Sequence, residues 1–242
     1  MYVLNQKLQK LFKILGCPFY TLALGRGVAA AVEHEKMLSN LSSSVIVDVG
    51  ANRGQFALVA RKVFPASYIY SFEPLEGPAK KYQSVFRSDK KSILFHQAIG
   101  PKKDITNIHV SKRDDSSSLL PITSTQSSLF PGTEERDIVK VQVSPLCEVL
   151  SKNKLQGPAL LKMDVQGFEL EALRGCEELI GQFRDIYVEC SFRELYKGQA
   201  MVDEIIEYLK ERSFFLFGVY NVSYDKNGLA IQADFHFRLV TA

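Results

Sequence analysis

Apolar and polar positions change their rhythm along the chain. Over residues 1–40 the apolar residues recur at helical spacing: Val3, Leu4, Leu8, Leu11 and Leu15 share one face, with Lys7, Lys10 and Lys13 largely opposite. That pattern predicts helices, broken near Gly25-Arg26-Gly27. From residue 44 strand-like and helix-like stretches alternate. Val45–Val49, apolar but for Asp48, is a run of the kind buried on both faces of a parallel sheet. The following stretch sets Phe56, Val59, Ala60 and Val63 on one helical face. "YIYSFEP" reads as a second strand, stopped at Pro74 because proline cannot donate to a ladder. Residues 78–86 then read as a short helix, and "SILFHQAIG" as a third strand ending at Gly100.

The alternation breaks over residues 101–143, where "ITNIHV" and "IVKVQV" flank the serine-rich "RDDSSSLLPITSTQSSLFPGTEER". Such a connection is too long to be idle in a compact domain, and reads either as a lid over a site or as a surface or disordered insertion. The rhythm resumes with "ALLKMDVQG" as strand, "FELEALRGCEELI" as helix, "DIYVECS" as strand and "MVDEIIEYLKER" as helix. "FFLFGVY" and "DFHFRLV", joined through the turn "YDKNG", form a closing antiparallel hairpin. The expected fold is α/β: a doubly wound, mostly parallel sheet over residues 41–242, helices on both faces, one antiparallel strand at the end, and a helical extension at 1–40.

Composition narrows the partners. Of 242 residues, 46% are hydrophobic and 24% charged, as in an ordinary globular domain. The formal charge of +3, with both signs interspersed, supplies no basic stripe for nucleic acid. Cys17, Cys147, Cys176 and Cys190 form no C-x-x-C pair and have no His at zinc-ligand spacing, so no metal is expected, and free thiols fit a reducing, cytoplasmic setting. No run approaches the roughly 18 apolar residues of a membrane span. The N-terminal amphipathic pattern suits a helix packed on the domain or a partner subunit, or one lying on a membrane surface.

In doubly wound sheets the ligand sits beyond the carboxyl ends of the strands, beside the first strand. The segment from Asp48 to Gly54, "DVGANRG", occupies that position. Gly50 permits a sharp turn and a close approach to the backbone. A dinucleotide loop needs G-x-G-x-x-G, but Asn52 stands where the middle glycine belongs, and the lysine of a phosphate-binding G-x-x-x-x-G-K loop is absent. The helix start still offers free N–H groups, which suit a carboxylate such as the methionine tail of a sulfonium cofactor. Glu73 ends the second strand, where a carboxylate accepts both hydroxyls of a ribose. Asp164 follows "ALLKM" at the end of the strand expected beside the first, facing the same crevice. Glu169 falls in a helix's first turn, where the dipole favours an anion. Asp164 is the first candidate for a general base and Glu169 the second; His96 and His236 read as hydrogen-bonded structural residues or bases.

The segments "VIVDVGANRGQFA", "SFEP", "HQAIG", "DDSSSLL" and "LLKMDVQGFELEALRG", in this order across residues 44–240, resemble the FkbM family of S-adenosylmethionine-dependent methyltransferases. The resemblance implies a seven-stranded class I methyltransferase sheet and O-methylation of a hydroxyl on a sugar or glycan, a lipid or a polyketide-like molecule. It implies that Asp48, Gly50, Ala51, Asn52, Gly54 and Phe56 surround the cofactor's amino-acid end. Glu73 with Pro74 would hold the ribose, and Gln97 and Ala98 would flank the adenine. Asp164 and Glu169 match the family's D-V-E-G-x-E segment, but Gln166 replaces its glutamate, and Cys147 in "SPLCEVL" replaces a common aspartate. The rival readings are a non-catalytic cofactor-binding or interaction module and an NAD-type oxidoreductase.

Overall fold

The computed structural model describes residues 2–240, with side chains described for residues 8–240. Helices α1 (Tyr2–Leu15), α2 (Pro18–Gly25) and α3 (Glu35–Leu38) precede β1 (Val45–Val49), α4 (Gln55–Val63), β2 (Tyr68–Phe72), α5 (Glu76–Phe86) and β3 (Ser92–Phe95). Next come β4 (Ala98–Ile99), β5 (Asp104–Ser111), α6 (Ser124–Leu129) and β6 (Glu135–Ser144). The chain closes with β7 (Ala159–Met163), α7 (Glu169–Gly175), β8 (Asp185–Ser191), α8 (Val202–Lys210), β9 (Phe214–Tyr224) and β10 (Ala230–Leu239).

The main sheet has seven strands in the order β3-β2-β1-β7-β8-β10-β9. It is parallel except for β10, which lies between β8 and β9 and runs against both. The antiparallel strand is therefore last in the chain but interior in the sheet. Alternation along β1 feeds two cores. Val45, Val47 and Val49 pack with α7 and α8 residues such as Leu173 and Leu209, while Ile46 packs with Phe56, Leu58 and Val59 of α4. Strand order reverses between β1 and β7, and the crevice beyond their carboxyl ends is where such sheets hold ligands.

Two expectations change. "SILFHQAIG" is not one strand: after Phe95 the chain turns, Gln97 N–H donating to the Phe95 carbonyl, and Ala98–Ile99 joins β6 in a second, three-stranded sheet, β4-β6-β5. The segment 101–143 is thus ordered; Ile108, Val110 and Val141 pack against Leu75 at the mouth of the crevice. In α1 the leucine face is turned away from the domain. Leu8, Leu11 and Leu15 are about half exposed and Phe12 is 72% exposed, while Ile14 is the buried anchor. Lys10 and Lys13, themselves exposed, tie the helix to the domain through ion pairs, Lys10 with Glu33 at 3.0 Å and Lys13 with Glu35 at 3.5 Å. The side chains of Val3, Leu4 and Lys7 lie outside the described residues. No described helix is long and apolar enough to cross a membrane.

Candidate functional site

A cleft of about 460 Å³ opens at the carboxyl ends of β1, β2 and β7. Gly50, Ala51, Asn52, Phe56, Glu73, Pro74, Ala98 and Asp164 line it. Asp48, Gly54, Gln97 and Glu169 are not on its wall.

The loop after β1 is shaped by the chain itself. Gly50 has φ 80, and a Cβ there would lie 1.8 Å from the Asp164 carbonyl oxygen, so what approaches its backbone is the strand β7 exit. Both Gly50 N–H and Ala51 N–H donate to the Phe72 carbonyl at 3.0 Å, which leaves neither free for a pyrophosphate. Asn52 has φ 46 and turns its side chain back onto the loop, where Oδ1 accepts from Arg53 N–H at 2.8 Å. Gly54 caps α4 with φ 91, and a side chain there would strike Tyr82 and Phe86. Its service is packing, and it leaves the first amides of α4 without a side-chain cap.

Glu73 is buried, with one backbone donor on each oxygen: Leu75 N–H to Oε1 at 2.7 Å and Asn52 N–H to Oε2 at 2.9 Å. Burial pushes its carboxyl up to about 7, against the pull of those two N–H groups. Each oxygen retains lone-pair capacity toward the cleft.

Asp48 lies under the loop with no exposure. In register beside it is Lys162, whose Nζ stands 3.3 Å from Asp48 Oδ1 and 3.7 Å from Asp164 Oδ2, and donates to the Gly50 carbonyl. The Lys162–Asp48 contact is an ion pair by distance but not a hydrogen bond, so both Asp48 oxygens are buried without a hydrogen-bond donor. Burial disfavours the Lys162 charge, but Asp48 and Asp164 outweigh it and raise its pKa; burial raises that of Asp48.

Asp164 is 37% exposed and reaches the cleft. Gln166, with φ 56, donates from Nε2 both to Asp164 Oδ1 at 2.7 Å and to Glu189 Oε2 at 2.9 Å. Its Oε1 accepts from the Tyr196 hydroxyl at 2.7 Å, and the same hydroxyl lies 3.1 Å from the Ser116 carbonyl of the serine-rich loop. Glu169, the second candidate base, is buried off the cleft wall, and its Oε1 takes Val165 N–H at 3.0 Å and Gly167 N–H at 3.1 Å, so it organises the turn after β7 from behind. Burial raises its carboxyl to about 7. Gln97 is off the wall because the turn after β3 leaves it outside the cleft, with Nε2 buried and unpartnered. His96 is exposed in that turn, and His236 is buried on Asp185 at 2.7 Å.

Other residues reach the site that the sequence reading did not single out. Lys162 had one signal, a lysine inside the apolar run "ALLKM". His34, whose Nδ1 lies 3.1 Å from the Tyr187 hydroxyl, comes from the N-terminal extension and had none. Asp114 and Leu119 bring the serine-rich loop over the cleft, and Arg53 ties it down through a 2.6 Å pair with Asp114.

Residues 48–216 match the family profile of the methyltransferase FkbM domain. A 2-O-methyltransferase, NoeI of Sinorhizobium fredii, is 26% identical over 212 residues, covering 85% of this chain and 84% of that protein. Methyltransferase 1 of Beauveria bassiana is 27% identical over 150 residues, covering 56% and 59%. Among solved structures, Aeropyrum pernix fibrillarin with natively bound S-adenosyl-L-methionine aligns over 84% of this chain and 72% of its own, at 12% identity and a TM-score of 0.47, a likeness too distant to bear on function.

Proposed function

The chain belongs to the FkbM family of methyltransferases and is S-adenosylmethionine-dependent, and from that premise we propose which residues hold the cofactor and which group handles the acceptor's proton. Glu73 accepts the ribose hydroxyls on the lone pairs its two backbone donors leave open. Ala98, Phe168 and Leu119 offer apolar walls to the base. The amino-acid end rests by Gly50–Asn52 and the uncapped start of α4, which favours its carboxylate. When bound, S-adenosylmethionine supplies an electrophilic methyl carbon for in-line displacement.

The observation that carries the reading is Asp164 on the wall of the cleft, held by Gln166 and beside Lys162. A hydroxyl brought to that point loses its proton to Asp164 as its oxygen gains the new bond, and Gln166 fixes the carboxylate's direction. Lys162 Nζ stands 3.7 Å from the other oxygen of the same carboxylate. The reaction is thus O-methylation. The 2-O-methyltransferase named above shares this reaction class by its name. The oxidoreductase reading fails at Gly50 and Ala51, whose amides are already bound.

The test is Asp164→Asn in single-turnover transfer of labelled methyl. A fall in rate of about 10²–10⁴-fold is expected for loss of a general base, with cofactor affinity retained. Transfer at the wild-type rate would remove Asp164 from the role.

A further inference from the structure

A second hollow, of about 550 Å³, opens beside the cofactor cleft. The two share Lys10, Glu33, His34 and Asp164, so the proposed base stands where they meet. Glu189 of β8 and Asp234 of β10, register partners on neighbouring strands, reach into the hollow, Asn221 and Ser223 of β9 line it, and α1 closes it with Gln9 and Lys13. Val32 and Val222 are its only apolar lining residues among those described.

These polar groups are set from behind. Glu189 accepts from Gln166 Nε2 at 2.9 Å and from Gln232 Nε2 at 2.7 Å. Asp234 Oδ2 accepts from the Tyr187 hydroxyl at 2.9 Å and from Asn221 Nδ2 at 2.7 Å. Burial, with neighbouring carboxylates behind it, raises the pKa of both acids. The hollow is thus lined by two carboxyl groups already fixed by hydrogen bonds, by the amides of Gln9 and Asn221, the hydroxyl of Ser223, and by Lys10 and Lys13 in their pairs with Glu33 and Glu35. A ligand satisfies it only by presenting several groups that each donate and accept, which is the chemistry of adjacent hydroxyls. An acyl chain would desolvate the wall without pairing it. The volume is in the range that takes a whole small ligand.

We propose that this hollow is the acceptor site and that it takes a polyhydroxylated, sugar-like acceptor, which presents one hydroxyl to Asp164 at the junction with the cleft. The proposal rests on the O-methyltransferase reading above. It gives the N-terminal helix a role as one wall of the acceptor site, and Gln166 a role in holding a catalytic and an acceptor-binding carboxylate side by side.

The experiment incubates the protein with methyl-tritiated S-adenosylmethionine and a boiled extract of its source cells, then separates carbohydrate from organic-extractable material. Label is expected in the carbohydrate. Ser223→Trp, which fills the hollow from β9, should cut transfer at least tenfold with cofactor affinity by calorimetry unchanged, while Gln83→Trp, on the exposed face of α5 and outside both hollows, should transfer normally. Gln9→Trp narrows the hollow from α1 and serves if the β9 variant fails to fold. Label in the organic phase, or wild-type transfer by folded Ser223→Trp or Gln9→Trp, would overturn the proposal. Absence of cofactor binding, or of label in every fraction, would instead overturn the O-methyltransferase reading beneath it.

Discussion

Replacing Glu73 by glutamine changes one carboxylate oxygen into an amide and little else. In the wild type each oxygen accepts one backbone N–H, at 2.7 and 2.9 Å, and keeps acceptor capacity for a ribose hydroxyl. Glutamine must point its NH₂ at either Leu75 N–H or Asn52 N–H, donor against donor, and it loses one ribose acceptor. A hydrogen bond to a charged group contributes about 1.5–3 kcal/mol. Losing one on the cofactor side weakens binding by roughly 10- to 150-fold. Calorimetric titration with S-adenosylmethionine at pH 8.5 measures this directly. A second signature comes from protonation. Burial raises Glu73 to about 7, so its proton blocks one acceptor as the pH falls through that value. Wild-type affinity should then drop by at most about tenfold per pH unit below the pKa, while the glutamine variant stays flat; the ratio of the two constants cancels the cofactor's own titration. Affinities within twofold at pH 8.5, or parallel pH profiles, would refute the ribose role.

Glu169→Gln should keep both Val165 and Gly167 N–H groups on its Oε1 and leave the transfer rate within a few-fold of wild type, whereas Glu169→Leu strands both donors at a cost of about 1–3 kcal/mol each; a rate collapse in the glutamine variant alone would restore Glu169 as a base. Because the folded state raises the Glu169 pKa to about 7, it holds the proton more tightly than the unfolded chain, so this contribution to stability is lost as pH rises through about 7, and urea melts at pH 5 and 8 should show a smaller loss in Glu169→Gln. Lys162→Met leaves Asp48 as an uncompensated buried carboxylate and should cost about 3–5 kcal/mol, with Asp48→Asn partly restoring stability in the double variant; additive losses would show that the pair is not coupled. Gly50→Ala puts a Cβ against the Asp164 carbonyl at a left-handed position, and should abolish cofactor binding in whatever protein still folds.

The sheet was legible because β1, β7 and β8 are largely apolar stretches that only a two-faced core can bury, and Glu73 and Asp164 stood out as candidates because carboxylates at strand ends are hard to place otherwise. The hidden parts were those decided by long-range neighbours. Nothing local in "HQAIG" shows that Ala98 will pair with Val143 in a different sheet. Periodicity found the amphipathic face of α1 but left what it meets open between the domain, a partner subunit and a membrane surface, because the acids that pair with Lys10 and Lys13 lie some twenty residues further along the chain. Gln166 looked like a lost carboxylate; with Asp164, Glu189 and Tyr196 around it, it is the amide that lets two acids share one corner.

The most direct measurement is a crystal structure with S-adenosylhomocysteine bound. The ribose hydroxyls should lie on the Glu73 carboxylate, the amino-acid end by Gly50–Asn52, and the sulfur should face Asp164 at the mouth of the polar hollow. A nucleoside held elsewhere, or a sulfur turned away from Asp164, would contradict the account.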